Sequence, residues 1–175
     1  MSSCVEAFTR KDYETALIHF FPALDKTAKL RRPMGKKVGE RIRQFITDQE
    51  AIITAIATGN IITNISINGI SFPEAIYKFG RNPLLHEGEL DPRLRFTESG
   101  SITITDIWLL PATYILGMII AVMVAPENAT ERLDKDGTVH FLGQEGQLNT
   151  LWGVEEQLKT YLASRFRRPD LVNRP

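Results

Sequence analysis

The chain is poor in cysteine: Cys4 is the only one in 175 residues. One thiol excludes an internal disulfide and leaves no partner for a zinc-ribbon framework. Net charge is missing too. Twenty-one basic residues balance twenty-one acidic ones, so no global field favours or opposes nucleic acid, and only local clusters can. No apolar stretch opens the chain. Residues 1–14 carry Glu6, Arg10, Lys11, Asp12 and Glu14, which is not the pattern of a secretory signal. The expected compartment is the cytoplasm, and Cys4 reads as a bystander near a frayed terminus. Also absent are a glycine-rich phosphate loop, a dinucleotide fingerprint, a Gly-x-Ser-x-Gly elbow and a Cys–His pairing. No internal repeat or low-complexity tract is present.

What is there is ordinary globular material, 43% hydrophobic and 24% charged. The length suits a single domain over residues 1–175, with a loose tail from about residue 167. Residues 12–30 predict a first helix, capped by Asp12, with Ala16, Phe20, Leu24 and Ala28 at helical spacing. Pro22 is its defect, because an interior proline removes a ladder bond. Residues 35–58 predict a second helix stopped by Gly59-Asn60. Asn68-Gly69 predicts a small hairpin. Ser71 then caps a third helix with Pro73 near its start. Gly80 and Pro83 fall inside that helix. Either it continues with a kink, or it ends near Gly80 and a new helix starts with Asn82 as cap, which would free amides for an anion.

Further on, Arg93–Phe96 and Ser101–Thr105 alternate around Glu98-Ser99-Gly100, a second hairpin candidate. Ile107–Val124 predicts a long apolar helix. The uncharged run from Ile107 to Pro126 is long enough to span a bilayer. Pro111, Gly117 and the acidic flanks Asp106 and Glu127 favour a buried core helix instead. A strand at Thr138–Leu142 and a final amphipathic helix over 151–166 complete a mainly α reading of four to five helices with small hairpins attached.

The chemistry concentrates in Arg81-Asn82-Pro83-Leu84-Leu85-His86. Asn82 and His86 stand four apart and share a helical face. Arg81 lies about 140° around an ideal helix from His86, within reach of a ligand through its long side chain. A cation that clamps an anion and an imidazole that moves a proton are what phosphodiester cleavage needs. The segment resembles the Arg-x4-6-His signature of the HEPN superfamily, where a polar residue such as Asn82 usually follows the arginine. The resemblance extends over residues 12–125, with the six-residue motif its specific part. It implies a helical bundle, a metal-independent endoribonuclease site built across a homodimer, and no cofactor. His86 would help activate a ribose 2′-hydroxyl, Arg81 would hold the phosphate, and Asn82 would orient the imidazole or touch the phosphate. The leading reading is thus an RNA-acting protein; its rival is a non-catalytic module that binds a protein partner, in a defence or toxin–antitoxin setting, with Arg81 and His86 structural.

A basic segment supplies candidate RNA contacts at Lys29, Arg31, Arg32, Lys36 and Lys37. The plainer alternative is a solvated helix junction. The acidic run Glu87, Glu89 and Asp91 beside His86 raises the question of a metal, but no second histidine follows at ligand spacing, so no metal ligands are assigned. It also offers Arg81 an ordinary ion-pair partner, Glu87 or Glu89.

Overall fold

The computed structural model describes residues 1–34, 37–99 and 103–172. Among them the architecture is mainly α, with seven α-helical segments, two of them joined by a π turn into one continuous helix, and three small sheets. Helix α1, Ser2–Thr9, was not expected. Its eight residues bury Cys4 and Ala7 against α2. The amino-terminal segment is therefore part of the core and Cys4 is an apolar filler, its thiol pushed up to about 12 by burial.

Helix α2, Tyr13–Arg31, begins as its sequence dictates: the Asp12 carboxylate accepts from Thr15 N at 3.2 Å. Pro22 is accommodated without ending it. Helix α3, Val38–Thr58, is the central element, and Gly59 closes it in the left-handed conformation at φ 72°. Strands β1, Ser66–Ile67, and β2, Ile70–Ser71, form the expected hairpin, with Asn68 at φ 50° and Gly69 at φ 76°. The buried Glu50 of α3 holds the approach to this hairpin, accepting from Asn64 N at 2.7 Å and Ile65 N at 3.1 Å.

The third predicted helix is continuous but irregular. It runs as α4, Phe72–Ala75, then one wide π turn, Ile76–Arg81, then α5, Asn82–Glu87. Ser71 caps it by accepting from Glu74 N. Asn82 is helical at φ −65° and its N–H bonds to Tyr77 O. It is not a cap: the helix runs through the motif without a break. Pro83 cannot donate to the carbonyl four residues back, and that carbonyl, Phe79 O, accepts from Asp91 N at 3.0 Å instead. Gly80 lets the turn lie against Phe21 and Leu94, which a Cβ would meet at 3.2 Å.

The run expected as one helix over 107–124 divides. Trp108–Pro111 is strand β5 and Thr113–Val124 is helix α6. Strand β5 takes the centre of a three-stranded sheet, parallel to β3, Leu94–Thr97, and antiparallel to β4, Thr103–Ile104. The two flanking strands therefore pair with β5 and not with each other as the hairpin reading had it; Gly100 of its Glu98-Ser99-Gly100 turn, with Ser101 and Ile102, lies outside the described residues. The apolar sequence Trp108-Leu-Leu-Pro suits a middle strand, and Pro111 falls at its end, where a missing N–H does least harm. No helix among the described residues is long and apolar enough to cross a membrane. Helix α6 is buried nearly all round because it packs in the core against α3. There Gly117 lies so close to α3 that a Cβ would stand 2.5 Å from Ile53 O.

The Thr138–Leu142 strand is one arm of a hairpin, β6, Thr138–Phe141, with β7, Gln144–Gln147. Helix α7, Glu155–Phe166, follows, ending at Arg167 in the left-handed conformation. The tail expected to be loose carries a short turn, Pro169–Leu171, with Leu171 buried. Residues 173–175 lie outside the described ones.

Candidate functional site at the α2–α3–π junction

The wide turn packs on both α2 and α3, and this junction decides where Arg81 goes. The sequence offered Glu87 or Glu89 as its ion-pair partner. The fold supplies Asp25 of α2 instead. Arg81 Nη2 stands 3.8 Å from Asp25 Oδ2, and Arg41 Nη2 of α3 stands 3.9 Å from Asp25 Oδ1. One carboxylate thus sits between two guanidinium groups. Arg81 also donates to Asn82 Oδ1 at 3.4 Å, a long bond. Its Cζ lies over the Tyr77 ring at 5.7 Å, and Arg43 lies over the same ring at 5.0 Å while pairing with Glu74 at 3.1 Å. Tyr77 in turn presses on α3 where Gly39 leaves room; a Cβ there would meet the phenol at 2.5 Å.

The motif's three residues therefore separate. Arg81 is mostly buried, at 16% side-chain exposure, and engaged with α2. Asn82 is half-buried and touches Arg81. His86 is exposed on α5 beside the exposed Leu85. No hydrogen bond joins His86 to Arg81 or Asn82 among the described residues. The Arg81 arrangement is also incomplete: its Nε is buried without a hydrogen-bond partner among the described residues, as is Asp25 Oδ1.

The basic segment is largely spent on internal pairs. Arg31 donates Nε and Nη2 to Glu127 at 2.9 and 2.8 Å and reaches Glu155 of α7 at 2.5 Å. Its guanidinium also covers the Phe45 ring at 4.8 Å. Burial favours the neutral form of each partner, but their mutual bonds outweigh it. Arg31 is raised above its ordinary value, and Glu155, also bonded by Lys159, is held below the usual carboxylate range. Arg32 pairs with Asp48 and Lys26 with Glu131. Of the predicted RNA contacts, Lys29 and Lys37 are exposed, Arg31 and Arg32 are engaged inside the fold, and Lys36 lies outside the described residues. Among the described residues no group of three or more His, Cys, Asp or Glu side chains is placed to hold a metal ion.

The matched family model is described as Rv1289 and covers residues 1–171. The chain belongs to the Rv1289 family. No curated protein and no solved structure gives a significant match. Family membership is therefore shown over nearly the whole chain. Asp25, Arg41 and Tyr77, which define the junction, carried no motif in the sequence. Asp25 reads there as one acid inside a basic segment, and only the packing of the turn on α2 marks it out.

Proposed function

We propose that the protein is a non-catalytic helical interaction module, of the kind found among HEPN relatives, with Arg81 serving the fold. The observation that supports this is the engagement of Arg81 by Asp25 and Tyr77, which ties the wide turn to α2 and withholds the guanidinium from a phosphate. Exposed apolar side chains at the α2–α3 connection would serve a protein partner. Leu30, Met34 and Val38 are exposed at the end of α2, in the connection and at the start of α3, Met34 at 88%. Exposed Lys29 and Lys37 flank them. Apolar side chains rimmed by lysines fit a partner with an apolar patch and an acidic border.

A second reading keeps the metal-independent endoribonuclease acting across a homodimer. Two observations favour it: His86 is exposed, and Arg81 retains a long, unsaturated contact that a phosphate oxygen could improve. The two readings separate in one experiment. The purified protein, His86→Ala and Arg81→Gln are incubated with total RNA in excess EDTA, and each is melted thermally. The module reading expects no cleavage by any of them and a lower Tm for Arg81→Gln alone. Cleavage by the wild type that disappears in His86→Ala at unchanged Tm would replace it with the ribonuclease.

A further inference from the structure

Between α1, α6 and strand β6 lies a cavity of about 430 Å³. It is independent of the Arg81 junction. Its polarity is graded with depth. Ile119 of α6, Val139 of β6 and Leu148 form a buried apolar floor. Phe8 and Leu116 are half-buried walls. Lys11 and His140 stand at the exposed rim. This volume lies within the range of small-molecule sites, which pair an apolar body with a few polar groups at one end.

Among the described residues no carboxylate lines the cavity, and Lys11 is its one permanent charge. Two carboxylates stand next to the rim residues: Glu98 accepts from Lys11 at 2.7 Å, and Glu145 lies 3.7 Å from His140. Lys11 and Glu98 are both well exposed, at 64% and 60%, so their pairing is a weak surface contact that a ligand carboxylate can replace. Lys11 is also held at φ 63°, a conformation that non-glycine residues adopt rarely. The turn that places it at the rim is closed by Lys11 N donating to Phe8 O and Asp12 N to Ala7 O.

We propose that this cavity binds a small amphiphile with a single carboxylate, a medium-chain fatty acid or an acid of similar shape, with its apolar body on the Ile119–Val139–Leu148 floor and its carboxylate on Lys11. The test is isothermal titration of the full chain with decanoate and, as the uncharged comparison, decanol. Wild type binds one decanoate per chain. Lys11→Gln, a surface change, weakens decanoate about tenfold and leaves decanol unchanged. Leu116→Trp, which fills the cavity, abolishes both, and its circular dichroism shows that it is folded. No saturable binding of decanoate by wild type up to about 1 mM overturns the proposal. So does equal decanoate affinity in wild type and Lys11→Gln, or undiminished binding by a folded Leu116→Trp.

Discussion

Asp25→Asn and Arg81→Gln, made singly and together, measure how firmly the wide turn is tied to α2. Two unit charges about 4 Å apart attract by about 4 kcal/mol at the effective dielectric of a protein surface. The observed separation is 3.8 Å. Three features cut that figure. The gap is longer than a hydrogen bond, Asp25 is 32% exposed, and both groups lost hydration on folding. Partly exposed pairs retain up to about 1 kcal/mol, and we take ~1 kcal/mol as the coupling here. The single changes are unequal. Arg81→Gln leaves Asp25 with Arg41, whereas Asp25→Asn takes the shared carboxylate charge from both guanidinium groups at once. We expect about 1 kcal/mol for the first and about 2 kcal/mol for the second. Urea unfolding of the four proteins gives the cycle, and the coupling shrinks in high salt because the pair is only partly shielded. If the single changes add to the double within ~0.3 kcal/mol, Arg81 is not held by Asp25 and the structural reading of the motif fails.

Three further changes probe the frame around the junction. Gly117→Ala gains up to ~1 kcal/mol of helix propensity but sets a Cβ 2.5 Å from the Ile53 carbonyl, a backbone atom that no rotamer change can move. A net loss of about 2 kcal/mol is expected, and a Tm equal to or above the wild type's would contradict so close a contact. Glu50→Ala strips the acceptor from Asn64 N and Ile65 N in a buried setting; the cost is about 2 kcal/mol, and hydrogen exchange at those two amides should accelerate. Glu155→Gln tests the Arg31 network by pH. The folded Glu155 carboxyl is held below its unfolded value. Its stabilisation is therefore present above the unfolded carboxylate pKa and is lost as pH falls through the lower folded value. The variant should be weaker by roughly 2 kcal/mol at pH 7, with the gap closing in acid; a gap that widens in acid would reverse the sign assigned to Glu155.

The elements set by neighbouring residues were legible in the sequence. The Asp12 cap, the Gly59 stop, the Asn68-Gly69 turn and the Ser71 cap each depend on a backbone geometry that only a few residue types satisfy within three or four positions. Helices α2 and α3 followed from apolar spacing for the same local reason. The motif itself was visible as a string, because Arg81, Asn82 and His86 are close in sequence. Its meaning was not. Whether Arg81 faces a ligand or a carboxylate depends on where the π turn packs, and that turn answers to Gly80, Pro83 and the distant Asp91 amide together. Periodicity also misassigned Trp108–Pro111. Four apolar residues before a longer apolar run suit a helix or a central strand equally, and the choice belonged to β3 and β4. Helix α1 is too short to announce itself and is stabilised by burial against α2. The basic segment shows the same division most plainly. Composition placed Arg31 among candidate RNA contacts, but its partners Glu127 and Glu155 lie 96 and 124 residues away. The sequence by itself determined where helices start, stop and turn, since those depend on groups a few bonds apart. The tertiary structure alone decided which charges are neutralised, which strands pair and which side chains reach solvent, because those depend on surfaces that meet only after the chain has folded.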